Sequence, residues 1–480
     1  MPTLKINDQT LSVEPGTLLI DACKRAGIEI PHYCYHPALS PVATCRMCLV
    51  EIKGQPKLAT SCTTSATEGM EVFTNSPAVA DARAGVMEFL LINHPLDCPI
   101  CDQAGECKLQ DYSYAFGSDD SRMVEPKRRY AYEDLGAKIV IDKNRCIHCT
   151  RCVRFTQEVS GGAEITVANR GSSLEITTYS GKTLDGNVLA GNVVDLCPVG
   201  ALTSRDFRFN KRVWYLKPIP TISRHSALAS PIWADVDQNR VWRFRPRPEP
   251  GRPATDFTFD DERYAYHRYD LNPADRLTHP LLNGQPARVE SIAEALRGAG
   301  TIAVVGQGTF GCDAAQRLAQ LASAELCFGS GDITHTISHP GLQKSSDGIF
   351  NRRGFSDRGF RFGRLEGLME LAISGQIGAV VLLHDAEFSS PRESALLRAL
   401  LEAAPFSLVL EPIPSALSDL ASARLPVTTY LEESDFVLTH DGVLRRYQKA
   451  LQAPKGVKTV SEWVRELILP VPAPAGGGDR

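Results

Sequence analysis

Apolar and polar residues alternate at the start of the chain, a pattern typical of β-strands with one buried face. In MPTLKINDQTLSVEPGTLL the alternation predicts strands at Thr3–Asn7 and Leu11–Glu14, joined by a turn at residues 8–10. A helix of about residues 17–26 is predicted to end at Gly27, because glycine tolerates the left-handed conformation that ends helices. Three more strands are predicted, at Cys48–Ile52, Lys57–Ala59 and Glu71–Thr74. The first 76 residues should therefore form a small β-rich domain.

The pattern then changes to a helical period. Ser76 followed by Pro77 is a strong helix start, and the predicted helix reaches about Ile92. Further along, IWADVDQNRVWRFRPR has the pattern of strands. Apolar runs between residues 280 and 470 predict the buried strands of a parallel sheet, at Thr301–Val305, Val380–Leu383 and Phe406–Leu410. The terminal LPVPAPAGGGDR is predicted to be a flexible tail.

Composition sets broad limits on function. The chain has 480 residues, 43% of them hydrophobic and 22% charged, which suits several globular domains. A net charge of −4 disfavours a nucleic-acid binder. No apolar run approaches the roughly 20 residues of a membrane span, and the N-terminus shows no signal or transit pattern. We therefore expect a cytoplasmic, bacterial protein that reaches a membrane only through partners.

Twelve potential iron ligands lie within the first 200 residues, in three sets of four. The first set is Cys34, Cys45, Cys48 and Cys62; the second is His94, Cys98, Cys101 and Cys107; the third is Cys146, Cys149, Cys152 and Cys197. Thiols stay reduced in the cytosol, where dense cysteines indicate metal more often than disulfides. An iron–sulfur cluster needs four soft ligands, normally thiolates. The three sets thus predict three clusters and a chain that carries electrons.

The alternatives to cluster binding differ from set to set. For the first set they are a zinc site or buried free thiols, although zinc usually has two paired motifs. Cys23 stands outside this set at helical spacing with Leu19 and Ala26, so core packing is its predicted role. In the second set, three cysteines need a fourth partner, and His94 is the candidate; a water or a distant ligand is the alternative. Gly105 is expected to let the backbone fold tightly around this cluster.

The third set has the spacing of one half of a bacterial ferredoxin. Cys146-Ile-His-Cys149-Thr-Arg-Cys152 supplies three ligands, and Cys197-Pro198 supplies the fourth. The positions that would hold a companion cluster carry other residues, namely Thr156, Asn187, Ala190 and Val193. His148 is predicted to lie near the cluster or in solvent without binding it. Three neighbouring arginines could tune the potential by their charge, with solvent exposure as the default expectation: Arg145, Arg151 and Arg154.

The second half of the chain carries weaker signals. Ser223, Ser226 and Ser230 have the Cys-x2-Cys-x3-Cys spacing with which molybdopterin oxidoreductases begin, but without the cysteines. A later Asp-Asp-Glu-Arg-Tyr segment resembles the neighbourhood of the fourth ligand, where this chain has Phe259. The resemblance implies that this cluster is lost. Residues 306–311 form a GxGxxG sequence after a predicted strand, with Glu325 downstream. A dinucleotide site is one interpretation, and a tight strand–helix turn is the favoured one. Core packing is the predicted role of Cys312 and Cys327.

Together these motifs resemble the large iron–sulfur subunit family of respiratory complex I. The resemblance is most specific over residues 1–215, including the sequence CTRCVRFTQEVSG, and weaker over 216–470. It implies an α+β multidomain chain with six parts. The first three are a β-grasp [2Fe–2S] ferredoxin domain (1–76), a helical His/Cys [4Fe–4S] domain (77–120) and a ferredoxin-like [4Fe–4S] domain (138–212). The other three are a degenerate molybdopterin-oxidoreductase segment without its cluster (213–268), a degenerate α/β molybdopterin-oxidoreductase-like domain (280–470) and the tail (471–480).

The resemblance also implies a function. It implies one [2Fe–2S] and two [4Fe–4S] clusters, without molybdopterin, that relay electrons from NADH and flavin on a partner subunit toward quinone. Expected partners are that flavin-bearing subunit and other iron–sulfur subunits of the peripheral arm, on the cytoplasmic face of the membrane. Three alternatives remain. A formate dehydrogenase subunit would need an intact cluster after residue 220, and an iron-only hydrogenase would need the companion cluster. A hydrogenase diaphorase subunit should end soon after Cys197.

Overall fold

The computed structural model describes residues 1–179, 181–225, 229–250, 252, 256–269, 271, 273–323, 327–330, 338–339, 342–343, 350–362, 365–439 and 441–468. The chain divides into an N-terminal unit, Met1–Leu216, and a C-terminal unit, Lys217–Arg480. Both units mix helices and sheets.

In its described residues, 1–179 and 181–216, the N-terminal unit contains ten short strands and five short to medium α-helices. The strands are β1 (Thr3–Ile6), β2 (Gln9–Ser12), β3 (Leu49–Ile52), β4 (Ala59–Thr60), β5 (Glu71–Phe73), β6 (Glu133–Asp134), β7 (Ile139–Ile141), β8 (Ile165–Ala168), β9 (Glu175–Thr178) and β10 (Leu202–Ser204). The helices are α1 (Leu19–Arg25), α2 (Pro77–Leu91), α3 (Lys108–Phe116), α4 (Arg151–Arg154) and α5 (Asn192–Leu196). A π-helical turn, Phe155–Val159, continues α4.

The first five strands form one mixed sheet in the order β2-β1-β5-β3-β4. β1 runs parallel to β5, and the other neighbours are antiparallel. Apolar residues of these strands and of α1 form a core that includes Leu4, Ile6 and Leu19. Cys23 is fully buried in this core, so its predicted packing role is confirmed. The remaining strands of the unit make a three-stranded sheet, β10-β7-β6, and a hairpin, β8-β9.

Two details of the predicted strands were wrong. The first turn lies at Asn7-Asp8, not at residues 8–10, because Ile6 pairs with Gln9 and Asn7 adopts a φ of +52°. Asparagine tolerates that left-handed conformation better than most residues, which makes a two-residue turn feasible there. The strand predicted at Lys57–Ala59 is instead β4, Ala59–Thr60, because its pairing partners in β3 are Leu49 and Val50. The helix ending at Gly27 is confirmed, with φ of +75° at that glycine.

The C-terminal unit is built on longer strands. They are β11 (Lys217–Ile222), β12 (Pro231–Asp237), β13 (Arg240–Pro246), β14 (Leu281–Leu282), β15 (Gln285–Pro286), β16 (Ile302–Gln307), β17 (Cys327–Ser330), β18 (Ser338–His339), β19 (Leu342–Gln343), β20 (Arg361–Phe362), β21 (Ala379–Leu383), β22 (Phe406–Glu411), β23 (Ala423–Pro426), β24 (Asp435–Leu438) and β25 (Leu444–Tyr447). The helices are α6 (Asp260–Arg263), α7 (Val289–Gly298), α8 (Cys312–Ala319), α9 (Arg352–Ser356), α10 (Leu365–Ile373), α11 (Pro391–Ala403) and α12 (Val460–Ile468).

Its main sheet has eight strands in the order β15-β14-β23-β22-β21-β16-β17-β20. The six strands from β23 to β20 are parallel, as the apolar runs predicted. Residues of α7, α8 and α12 pack on one face, and residues of α10 and α11 pack on the other. Burial on both faces explains why these strands are continuously apolar in sequence. Within the described part of the chain, every helix is too short or too polar to span a lipid bilayer.

Candidate iron–sulfur cluster sites

The first set lies on irregular backbone around the N-terminal sheet. Cys34, Cys45 and Cys48 stand in the segment between α1 and β3, and Cys62 follows β4. The Cys34 thiol makes hydrogen-bond contacts with those of Cys45 and Cys62, and these contacts lower the pKa of Cys34 and raise the pKa of both partners. Cys48 likewise contacts Cys62, and its pKa falls to about 7. The structure thus joins all four side chains in one connected group. The thiolate is the form in which each of these side chains binds metal.

Backbone amides also reach this first set. The amide of Tyr33 donates to Cys45 Sγ over 3.5 Å. Cys34, Cys48 and Cys62 are fully buried. A buried anionic sulfur needs hydrogen-bond donors or metal to offset its loss of water. The group therefore fits a cluster held by thiolates.

The second set is positioned by two helices. Ser76 caps α2, accepting a hydrogen bond from the Val79 amide at 3.4 Å, and α2 leads to His94. A single 3₁₀ turn links Cys98 to Cys101, and Cys107 immediately precedes α3. Burial raises the pKa of Cys107 to about 11, with smaller increases from the nearby charges of Cys101 and Cys98. The three cysteines therefore lie within electrostatic range of one another.

His94 has the properties of a neutral ligand. Burial, assisted by the charge of Arg145, lowers the pKa of its imidazole to about 4. Its Nδ1 atom is buried and has no hydrogen-bond partner among the described residues. A buried polar atom without a partner is costly, and a metal would satisfy it. The imidazole is therefore in the protonation state that metal binding requires.

Gly105 does permit a close approach, but to a different neighbour than expected. It adopts a φ of +91°, and a Cβ atom at this position would lie 2.8 Å from Val213 and 2.9 Å from Trp214. Glycine is therefore needed where the cysteine segment passes residues 213–214 at the end of the unit. The prediction that it fits the backbone around a cluster is not tested.

The third set surrounds a small cavity. Its lining consists of all four cysteines with apolar neighbours and two polar side chains: Cys146, Cys149, Cys152, Cys197, Ile141, Ile147, Ile176, Val199, Ala201, Leu202, Thr150 and Arg151. The amide of His148 donates to Cys146 Sγ over 3.4 Å, and His148 has a φ of +54°. Burial raises the pKa of Cys149 to about 11. A thiol that is costly to ionise alone becomes a thiolate when it binds metal.

The positions of the absent companion cluster are filled by packed residues. Thr156, Ala190 and Val193 are buried, and Thr156 donates its hydroxyl to the Val153 carbonyl over 3.0 Å. Asn187 donates to Ser160 at 2.8 Å, and Ser160 donates onward to the Thr156 carbonyl at 3.4 Å. Hydrogen bonds and apolar side chains thus occupy the place where thiolates would be needed.

The second and third sets are directly connected. Lys108, which follows Cys107, donates its amide to the carbonyl of Pro198, which follows Cys197, over 3.1 Å. A Cβ atom on Gly200 would lie 2.4 Å from Cys101 Sγ, so this glycine permits the close approach of the two ligand segments. Arg145 adds a third link, because it precedes Cys146 and its guanidinium pairs with Asp97 at 2.9 Å.

The default expectation that the three arginines are solvated was wrong. Arg145 is 3% exposed and Arg154 is 5% exposed. Arg151 is half-buried, and burial lowers the pKa of its guanidinium. Their interleaving with the third-set cysteines was the available signal, but spacing alone does not show which carbonyl or carboxylate pairs with a guanidinium.

Among the described residues, no three His, Cys, Asp or Glu side chains are arranged to hold a single metal ion.

Three family models match the segments that carry these sets. Residues 1–77 match a 2Fe-2S iron-sulfur cluster binding domain, and residues 83–122 match the NADH-ubiquinone oxidoreductase-G iron-sulfur binding region. Residues 136–203 match the ferredoxin-like domain of NADH-quinone oxidoreductase subunit 3. Binding domains of both the 2Fe-2S and the 4Fe-4S type are therefore present. The N-terminal unit is therefore similar to segments of NADH-quinone and NADH-ubiquinone oxidoreductase subunits.

Individual relatives agree with this relationship. The chain is 50% identical over 246 residues to the 78 kDa subunit of NADH-ubiquinone oxidoreductase from Neurospora crassa, covering 51% of this chain and 33% of the relative. It is 43% identical over 287 residues to the 75 kDa subunit of Reclinomonas americana (59% and 41% covered). For the mitochondrial iron-sulfur protein 1 of NADH dehydrogenase from Solanum tuberosum, the identity is 43% over 288 residues (60% and 38%). The chain thus spans less than half the length of these relatives.

One solved structure also matches. A chain of an NAD⁺-reducing [NiFe]-hydrogenase in the H2-reduced state is 29% identical, with a TM-score of 0.39, covering 44% of this chain and 91% of that one.

The GxGxxG sequence at residues 306–311 forms a turn, and the N-terminus of the helix that follows is already occupied. Gly311 precedes α8, and the Asp435 carboxylate accepts hydrogen bonds from the amides of Asp313 (3.1 Å) and Ala314 (3.4 Å). A Cβ atom on Gly311 would lie 1.9 Å from Asp435. These amides are the donors that a phosphate would use. The geometry favours the tight-turn interpretation, and Glu325 lies outside the described residues.

The other predictions for the C-terminal unit have mixed outcomes. Ser223 donates its amide to the Ser230 carbonyl at 2.8 Å, and Phe259 is buried before α6. Ser226 lies outside the described residues. Cys312 is fully buried beside Asn351, which confirms its packing role. The side chain of Cys327 and the tail, residues 471–480, are not described.

Proposed function

We propose that this chain is the electron-transfer iron–sulfur subunit of an NADH:quinone oxidoreductase. It would relay electrons from NADH and flavin on a partner subunit toward quinone, within a complex that couples this transfer to proton translocation. The observation that carries the proposal is the grouping of three four-ligand sets in one unit, with the second and third sets directly connected. The relationship of this unit to the complex I subunit supports the same function.

The cofactors assigned to the sets are one [2Fe–2S] cluster and two [4Fe–4S] clusters. Such clusters, when bound, accept and release single electrons. Cys34, Cys45, Cys48 and Cys62 would hold the [2Fe–2S] cluster; His94, Cys98, Cys101 and Cys107 would hold one [4Fe–4S] cluster, and Cys146, Cys149, Cys152 and Cys197 the other. The protein's own task is to supply thiolates, one neutral imidazole and buried surroundings. We assign no catalytic residue to this chain.

The finer arrangement follows the sequence-based division of domains. We propose a β-grasp ferredoxin domain at 1–76, a helical His/Cys domain at 77–120 and a ferredoxin-like domain at 138–212. Residues 213–268 and 280–470 would be degenerate parts of a molybdopterin oxidoreductase that bind no molybdopterin. The partners would be a flavin- and NADH-binding subunit and other iron–sulfur subunits, in a peripheral arm on the cytoplasmic face of the membrane. A formate dehydrogenase or hydrogenase subunit is the alternative.

The cofactor assignment is tested by analysis of the anaerobically purified full chain. We expect about ten irons per chain, two plus four plus four, with EPR signals of both cluster types and no molybdenum or tungsten. Cys48→Ser should reduce the count to about eight by removing the [2Fe–2S] cluster. Cys23→Ala is the matched control, because Cys23 is an equally buried cysteine outside the three sets. Zinc, or no metal, at these places would contradict the assignment.

The function itself needs a second measurement. NADH should reduce the clusters of this chain, as followed by EPR, only after a flavin-bearing complex I subunit is added. Reduction by formate or hydrogen with their own catalytic subunits, and none with NADH, would favour the alternative instead.

A further inference from the structure

A short helical segment of the third set also contacts the first set. α4 contains Cys152 and ends at Arg154, whose side chain is 5% exposed. Arg154 Nη2 donates to the carbonyl oxygen of Cys34 at 2.5 Å and to that of Cys149 at 3.3 Å. One guanidinium therefore joins a ligand residue of the first set to a ligand residue of the third.

Two neighbours of Arg154 make similar connections. Arg151 donates to the carbonyl of Tyr35, which follows Cys34, at 2.5 Å. It also donates to the carbonyl of Leu196, which precedes Cys197, at 3.2 Å. One turn beyond α4, the Glu158 carboxylate accepts the amide of Ser40 at 2.8 Å.

We propose that Arg151 and Arg154 form a cationic clamp that fixes the spacing between the first and third ligand sets and raises the reduction potentials of the centres they hold. This inference rests on the proposed function and deepens it. Both arginines are positioning residues, because they act through the backbone of the ligand segments.

The electrostatic part of the clamp follows from burial and charge. Arginine remains protonated in proteins, so no proton moves and no bond forms or breaks when one set gains the electron that the other loses. A positive charge stabilises added negative charge more strongly in a buried environment than in water. Because each guanidinium contacts both segments, its removal should lower both potentials. The second set, whose neighbouring arginine is Arg145, should keep its potential.

The geometric part depends on the shape of the guanidinium. Its several N–H groups point in fixed directions and can bind two carbonyls at once, whereas a lysine ammonium is a point charge on a flexible stem. Arg154→Lys should therefore keep most of the electrostatic effect and lose the double contact. Arg154→Met removes the charge and the donors together, at similar length.

The test is an EPR-monitored redox titration of the full chain carrying its clusters. Arg154→Met should make the one-electron reduction of the first and third centres about tenfold less favourable, roughly 59 mV, and leave the second unchanged. In Arg154→Lys both potentials should stay close to wild type. Arg83→Met is the matched control, because Arg83 is also buried and donates to a carbonyl, that of Leu49, but at the first set alone. It should not change the potential of the third centre.

Several results would overturn the clamp. Potentials that do not change would show that Arg154 does not tune these centres. Three potentials that fall together would show that its effect is not confined to the first and third sets. If Arg154→Met loses iron, the Arg154→Lys variant provides the test. Lysine keeps the positive charge, so a fall in its first and third potentials as large as that expected for a missing charge would exclude the electrostatic role. Wild-type protein without clusters would instead contradict the proposed function, so the two failures can be told apart.

Discussion

At the scale of single residues, the side chains of the N-terminal unit differ in what they contribute to its candidate sites. Eleven thiols are the predicted anionic ligands, and one imidazole is the predicted neutral ligand. The buried arginines supply positive charge close to the ligand segments, and two glycines permit close approach. Gly200 is the sharper case, since a methyl group there would collide with Cys101 Sγ at 2.4 Å.

His94 can be tested directly by His94→Cys. A thiolate in place of the imidazole adds a negative charge, so the second centre should be retained with a lower potential, at least about tenfold less favourable for one-electron reduction. The measurement is a redox titration with EPR, and the signal's g-values should also change. His279→Cys, at an exposed position of the C-terminal unit, is the control. An unchanged second signal in His94→Cys would remove His94 from the ligand set.

At the scale of elements, the strands and helices to which the sequence patterns assigned bounds lie within two residues of those bounds in the structure. The parallel strands β16, β21 and β22 were recognisable because burial on both faces requires continuous apolar runs. Short strands were less certain: β4 and the first turn depend on pairing partners that are distant in sequence. The group that occupies the N-terminus of α8 could not be assigned from the glycines, because Asp435, more than 100 residues away, supplies the carboxylate that binds its amides.

Asp435 provides a prediction for the pH dependence of stability. Burial raises the pKa of its carboxyl from 3.8 to about 6. The ionised form is therefore less favourable in the folded state, and wild-type protein loses stability as pH rises from about 4 through about 6. Asp435→Asn, which cannot ionise, should gain stability relative to wild type by roughly 1.4 kcal/mol between about pH 5 and about pH 7.5.

Urea unfolding of the C-terminal unit at the two pH values would measure this difference. Asp435→Ala is the comparison, because it lacks both the charge and the acceptor oxygens. It should follow the same pH trend and be less stable than Asp435→Asn by about 1 kcal/mol, as for a lost helix cap. A difference between wild type and Asp435→Asn that is independent of pH would contradict the argument.

At the scale of the whole molecule, the two units are stabilised in different ways. The C-terminal unit buries large aliphatic clusters on both faces of an eight-stranded sheet. In the N-terminal unit, the twelve predicted ligands lie mostly on turns and loops between short elements. If these ligands bind clusters, the free energy of metal binding contributes to the folding of the segments that carry them.

Cluster removal should therefore affect the two units unequally. After anaerobic chelation of iron, hydrogen exchange should accelerate by at least about tenfold in residues 30–48, 94–107 and 146–152, which contain most of the ligands. Exchange in β16, β21 and β22 should remain slow, because their protection comes from the sheet and its helices. Mass spectrometry of the exchanged full chain would compare both units in one sample. Equal acceleration in both units, or none in either, would contradict this division.

The sequence by itself determined the candidate ligand sets and the mixture of helices and strands in each unit. Cysteine spacing is a local property, and so is the period of apolar residues that separates strands from helices. For these reasons the three sets, the parallel strands and the missing companion ligands could be recognised without coordinates.

Only the tertiary structure decided which distant groups meet. The contacts of Arg154 with Cys34, of Asp435 with α8 and of Gly200 with Cys101 each join residues that are about 100 or more positions apart. Such contacts depend on how the elements pack, and no local pattern encodes that packing. The burial of the arginines was missed for this reason: a charged side chain is solvated by default, unless distant backbone carbonyls and carboxylates surround it.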